Sequence, residues 1–265
     1  MMPDGETIRD AGYQAFLASI LSDREQFFSD VVGDRGLSRK LRYAMLTILT
    51  LSAFYGAVAG SYAGALQALS AAVKLPFLFV TTFVICFPAL FVVQILVGSK
   101  LKLLQVVILV AGALALTTVL LAAFVPIVAF FLVTGANYYF LELLHLLIVL
   151  VCGSLGMYAL HEGLSYVCEK HGIYPRKALT ILRVWVVLFA FVGVQMSWNL
   201  RPFLGDRNEP FQVFRHYEGN FYTAVVYSFN KLLKGEGQSK GHDSLSDDFR
   251  GADMDTLMWN RALGK

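Results

Sequence analysis

The chain has 265 residues, 57% hydrophobic and 15% charged, with a net charge of +3 and a mean hydropathy of +0.60. Soluble domains carry about 25% charged residues, and here only 10 of 41 charged residues lie in the 158 residues from Tyr43 to Leu200. That distribution excludes a single soluble globule, and so small a net charge gives no footing for a nucleic-acid partner.

The pattern predicts an all-α integral membrane protein with about five transmembrane helices, an N-terminal amphipathic helix and a polar C-terminal tail. Residues 1–42 are the first unit, a cytoplasmic amphipathic helix and a basic juxtamembrane segment. Tyr13, Phe16, Leu17, Ile20, Leu21, Phe27, Phe28, Val31 and Val32 recur mostly at spacings of three and four, a helical stripe over Glu6–Val32. Asp10, Asp23, Arg24, Glu25 and Asp30 take much of the other face, and Gly33-Asp34-Arg35-Gly36 breaks the helix. The stripe suits the inner membrane surface or the bundle's own loops, or a cytosolic partner. Seven acidic against two basic residues up to Asp34 disfavour adsorption to anionic lipid and favour packing on protein. The first 30 residues hold no apolar h-region, so no cleavable signal peptide is expected.

Residues 43–200 form the predicted transmembrane domain, since about 20 apolar residues cross a bilayer. The spans are Tyr43–Ala65, Leu75–Val97, Leu104–Val133, Tyr138–Leu160 and Leu179–Trp198, the third tilted or kinked at Pro126. Leu103–Leu141 is uncharged yet too short for two spans and a loop; splitting it, or a re-entrant piece, would give four or six spans. With five, the termini lie on opposite sides. Arg35, Arg39, Lys40, Arg42, Lys100, Lys102, Lys170, Arg176 and Lys177 collect on one side, against Lys74, Arg201, Arg207 and Arg215 on the other. The basic excess predicts a cytoplasmic N-terminus and an outside C-terminus. Trp185 and Trp198, near opposite ends of the last span, are expected interface anchors.

Gly56, Gly60 and Gly64 form a tandem G-x-x-x-G in the first span. Such a stripe lets another helix approach closely, either within the bundle or in self-association of copies. Glu142 and His145 lie three apart on one face of the fourth span. E-x-x-H is half of a di-iron motif, but the spans hold no second pair, so no metal or other cofactor is expected. A hydrated or mutually hydrogen-bonded pair near the interface and a proton or ion relay both remain open. His161, Glu162, Glu169, Lys170 and His171 read as a loop charge cluster. Pro88 and Pro126 interrupt helices as in transporter sites, yet no internal repeat is seen and buried polar residues are few: Gln94, Gln105, Thr117, Thr118 and Gln195. Cys86, Cys152 and Cys168 lack a CxxC partner, and no nucleotide or hydrolase fingerprint occurs.

Residues 201–234 are an aromatic segment expected at the outer interface. Pro202 and Pro210 forbid a regular helix at its start, and Gly219–Lys234 can form a short helix with Phe221, Val225, Phe229 and Leu232 along one side. Residues 235–265 are a flexible linker and tail, whose cluster Leu257, Met258, Trp259 and Leu263 would bind a partner or pack back.

Gln195-Met196-Ser197-Trp198-Asn199-Leu200-Arg201-Pro202-Phe203-Leu204-Gly205 resembles a Q-x-S-W-x-L-R-P-F-x-G box that closes the last span in uncharacterised bacterial multispanning membrane proteins. Lys74-Leu75-Pro76 and Cys86-Phe87-Pro88 are similar to that group too, and the likeness covers roughly Leu41–Gly205. It implies a location, the bacterial inner membrane, and a fold, but no activity. The hydropathy is also superficially similar to five-span Yip-like trafficking proteins, without their specific motifs. In the box, Trp198 would sit among headgroups, Arg201 would reach phosphates, helix carbonyls or an anionic ligand, and Pro202 would end the helix. The expected function is a non-enzymatic membrane scaffold or accessory subunit, partnered by lipid and other membrane proteins; the alternative is a small transporter or channel using Glu142 and His145.

Overall fold

The computed structural model describes residues 5–96, 98–171, 176–205, 225–226 and 228–230. Eight helices occupy them: α1 (Gly5–Leu21), α2 (Arg24–Val32), α3 (Leu37–Gly60), α4 (Ala65–Leu96), α5 (Leu103–Ala123), α6 (Val125–Val133), α7 (Tyr138–His171) and α8 (Arg176–Leu200). No strand occurs among the described residues. Five helices are long and apolar enough to cross a membrane, counting α5 with α6 as one, an architecture compatible with a multi-pass membrane protein. Readings that fell on Lys170, on the side chains of Cys168, His171, Arg176 and Lys177, on Arg207, Pro210 and Arg215, on Phe221 and Leu232, and on 235–265 lie outside what is described.

The element boundaries differ from expectation where packing overrides local signals. The uncharged run Tyr43–Val73 is divided by a turn at Ser61–Gly64, where Gly64 takes a φ of +122°. Helix α3 therefore ends at Gly60, and α4 starts at Ala65, ten residues before the expected Leu75. Residues 65–74 stay helical because their backbone lies against the glycine face of α3. Lys74, expected in a loop, is consequently inside α4 and buried. The third span breaks at Phe124, with Pro126 in the first turn of α6, where a missing N–H costs nothing. Helix α7 runs eleven residues past Leu160.

The proximal end is where α3, α5 and α8 begin and α4 and α7 finish; the distal end is opposite. Helix α5 is the central staff, packed chiefly on α3 and α7, while α3 also packs on α4 and α4 on α8. Of its 21 residues 14 are buried, and all but Gln105, Thr117 and Thr118 of these are apolar, so α5 forms the centre of the bundle.

The N-terminal stripe forms two helices, broken at Ser22-Asp23, and not one. It joins the proximal bundle: Phe16, Ile20, Phe27, Phe28 and Val31 share one core cluster with Val106, Leu109 and Leu160. Tyr13 Oη and Thr47 Oγ1 are 3.1 Å apart, and Thr47 lies ten residues, ~15 Å, along α3. Phe27 fills the notch at Gly112 of α5, and Phe28 the notch at Gly163 of α7.

Polar contacts secure the turn that follows. Gln105 Nε2 donates to the carbonyls of Val31 (3.2 Å) and Val32 (3.1 Å) and to Asp34 Oδ1 (3.0 Å), while its Oε1 accepts from Lys102 N (2.9 Å). A Gln105→Leu variant would strip these acceptors of their partner, and buried polar groups left unmade cost about 1–3 kcal/mol each. We expect about 2 kcal/mol of lost stability in detergent unfolding, with hydrogen exchange rising first in Val31–Asp34. The Lys102 ammonium also donates to Asp34, and this hydrogen bond holds the Asp34 carboxyl below its ordinary 3.8. A depressed carboxyl stabilises the fold above its unfolded value and loses that contribution as pH falls through the folded one. An NMR titration of the Asp34 carboxyl should therefore show Lys102 contact at neutral pH and its loss only below pH 3.8.

Candidate functional site at the distal end

Helix α3 carries Tyr55 and α7 carries His145, both within helices apolar enough to cross a membrane. Their side chains meet in the distal core beside Leu75, Leu121, Val125, Ile148 and Cys152. Tyr55 Oη lies 2.7 Å from His145 Nδ1, and the rings are edge to face with centroids 5.6 Å apart. Both residues are buried, at 2% and 8% exposure, and His145 Nε2 has no hydrogen-bond partner. One turn toward the distal end, Glu142 Oε2 accepts a hydrogen bond of 2.7 Å from Ser228 Oγ. The sequence pair is thus split between two contacts: His145 turns to α3, and Glu142 meets the C-terminal segment.

Residues 225–226 and 228–230 are helical, within the segment where a short amphipathic helix was expected. Ser228 is buried on Glu142, and Phe229 is 53% exposed. Next to lipid, an apolar side chain faces outward at no cost, while a hydroxyl gains by finding a partner in the protein.

The end-of-span box docks on α4. Gln67 Nε2 donates to the carbonyls of Pro202 (2.8 Å) and Phe203 (3.2 Å), and Lys74 Nζ donates to Pro202 O at 3.2 Å. Gly205, at φ +70°, leaves just enough room for Ala63 and Gln67. Arg201 lies over the Trp198 ring, 3.4 Å from its centroid, a cation–π contact. Trp198 and Arg201 therefore pair with each other at the helix end. The sequence reading missed Tyr55, Gln67 and Ser228 and the burial of Lys74, for which the signal was a lone charge in an apolar run.

Two expectations are corrected here. Trp185 is no interface anchor: it is buried between α8 and α4, and its Nε1 donates to Cys86 O at 2.9 Å. Gly64 does not share the packing stripe, since an added Cβ would meet nothing within 4 Å. Gly56 and Gly60 do lie against another helix, the backbone of α4 at Gln67–Ala72. Arg183 and His161 meet at the proximal end, Nε to Nε2 3.3 Å. Among the described residues, no group of three His, Cys, Asp or Glu is placed to hold a metal ion.

In comparisons with known proteins, no family model, curated protein or solved structure matches the chain.

Proposed function

We propose that the chain is a non-enzymatic scaffold or accessory subunit of a membrane complex, placed in a bacterial inner membrane with its N-terminus cytoplasmic and its C-terminus outside. The supporting observation is the filled centre. The polar residues buried on α5 are Gln105, Thr117 and Thr118, and all three have hydrogen-bond partners within the protein: Gln105 in the turn after α2, and the threonines on Ala113 O and Ala115 O of their own helix. A core so composed suits an anchor, because its buried polar groups on α5 are already engaged within the protein. Recognition then falls to the lateral surface, where α4 and α8 expose Phe77, Val84, Val92, Val184, Val187 and Phe191. Gly56 and Gly60 are occupied by α4, so contact between copies is better sought on those faces than on the glycine stripe. The bacterial family with the Q-x-S-W-x-L-R-P-F-x-G box is the kinship we favour.

The rival reading, a small transporter or channel, draws on the unpartnered His145 Nε2 and on Glu142 one turn away. Purification from native membranes in mild detergent, with mass spectrometry, tests the choice. A stoichiometric membrane-protein partner is expected. A partner-free preparation whose liposome flux disappears in Glu142→Gln overturns the scaffold. Labelling a cysteine introduced near Asp243 tests the orientation, which requires access from outside.

A further inference from the structure

The distal core contains two buried polar side chains that satisfy each other and leave one atom over. Tyr55 and His145 share one hydrogen bond, at 2.7 Å, through Oη and Nδ1. Two arrangements of hydrogen are possible. If Nδ1 carried the proton it would donate to the phenol oxygen; the phenol hydrogen would then need another acceptor, and bare Nε2 would be unmatched as well. If the phenol donates to Nδ1, a single group remains without a partner, the Nε2–H. Unmade hydrogen bonds are costly in a buried site, so the second arrangement is favoured, and the group left over is a donor. Its ring is 8% exposed, and Nε2 itself is sealed from solvent.

We propose that this Nε2–H holds a neutral oxygen acceptor, making Tyr55 and His145 a buried binding site for a water molecule or for the carbonyl of a lipid or small solute. A cation is refused by the N–H. A metal ion would need the bare nitrogen and thus the costlier tautomer. An anion is disfavoured by the Glu142 carboxyl one turn away on the same helix. Buried waters typically satisfy polar atoms that the protein leaves unmatched, and a carbonyl oxygen meets the same requirement. This site stands apart from the scaffold reading and survives its failure.

The test uses the full chain, labelled with ¹⁵N-histidine and ¹³C-tyrosine, in phosphatidylcholine–phosphatidylglycerol liposomes. Solid-state NMR identifies His145 by its dipolar contact to Tyr55, so no variant need fold. The expected result is a protonated Nε2, a bare Nδ1 and a hydrogen-bonded N–H. Magnetisation arriving from water protons identifies an ordered water; transfer from lipid or solute protons identifies a carbonyl ligand. A bare Nε2 overturns the proposal, and so does an Nε2–H with the shift of a free, unbonded group. Tyr55→Phe should then shift the tautomer balance toward a mixture, whereas an unchanged balance removes Tyr55 from the site.

Discussion

Replacing Gly56 with leucine should drive α3 and α4 apart and cost about 3 kcal/mol, the upper range for overpacking a filled interior. A Cβ at position 56 would lie 2.5 Å from Ala71 O and 3.0 Å from Ala71 C, and one at position 60 would lie 2.6 Å from Gln67 O. The obstacles are backbone atoms of α4, which no rotamer change can move aside. In a bilayer this matters more than in water, because van der Waals contact between close backbones is a main attraction between helices. Even Gly56→Ala should be harmful. Gly153 provides the internal contrast, since an added Cβ there meets nothing within 4 Å. Gly153→Ala should stabilise slightly, by about 0.5–1 kcal/mol, through helix propensity. Unfolding in mixed micelles, followed by circular dichroism, compares the three. A leucine at position 56 tolerated as well as the alanine at 153 would mean that the two helices are not held by this contact.

Gly56 and Gly60 were legible as a close-approach face because their spacing is local, though the same spacing wrongly included Gly64, and the five spans were legible because charge is scarce within them. What could not be read locally is which side chains meet across the chain. His145 and Tyr55 are 90 residues apart, and Glu142 and Ser228 are 86 apart; no periodicity encodes such a pairing. Lys74 misled because a charge usually marks a loop, while here the Pro202 carbonyl of the box accepts a hydrogen bond from it. Trp185 misled for a related reason. Tryptophan favours interfaces because its N–H needs a partner, and Cys86 O supplies one inside the bundle. Gly112 and Gly163 carried a usable signal: each is an isolated glycine in a helix and so a possible notch, and Phe27-Phe28 are the adjacent aromatics that fill both.

Those two notches decide how the N-terminal strap is held. Gly163→Leu should expel α2 from its groove while the spans stay assembled, raising proteolysis within residues 22–36 by at least tenfold, on the order of 1.4 kcal/mol. The Cβ of residue 163 would overlap the Phe28 ring, and a Cβ at 112 would come within 2.9 Å of Phe27 Cζ. The competing account is that ion pairs hold α2, namely Arg24–Glu162, Lys40–Asp30 and Lys102–Asp34. Arg24–Glu162, 35% and 51% exposed, and Lys102–Asp34, 69% and 42% exposed, are open to solvent, and such pairs contribute about 0–1 kcal/mol, while Lys40–Asp30, at 16% and 19%, is more shielded. Burying a phenylalanine or valine side chain contributes about 1.5–3 kcal/mol, and Phe27, Phe28 and Val31 are all buried. Apolar burial therefore outweighs charge, and the two accounts separate in salt. At 1 M ionic strength, where screening acts within about 3 Å, the wild-type strap should remain as protected as at low salt. Release by salt with a silent Gly163→Leu would make the strap electrostatic. Protection through salt and loss in the variant would mean that the apolar stripe is spent inside the molecule, leaving any partner only the polar face of α2.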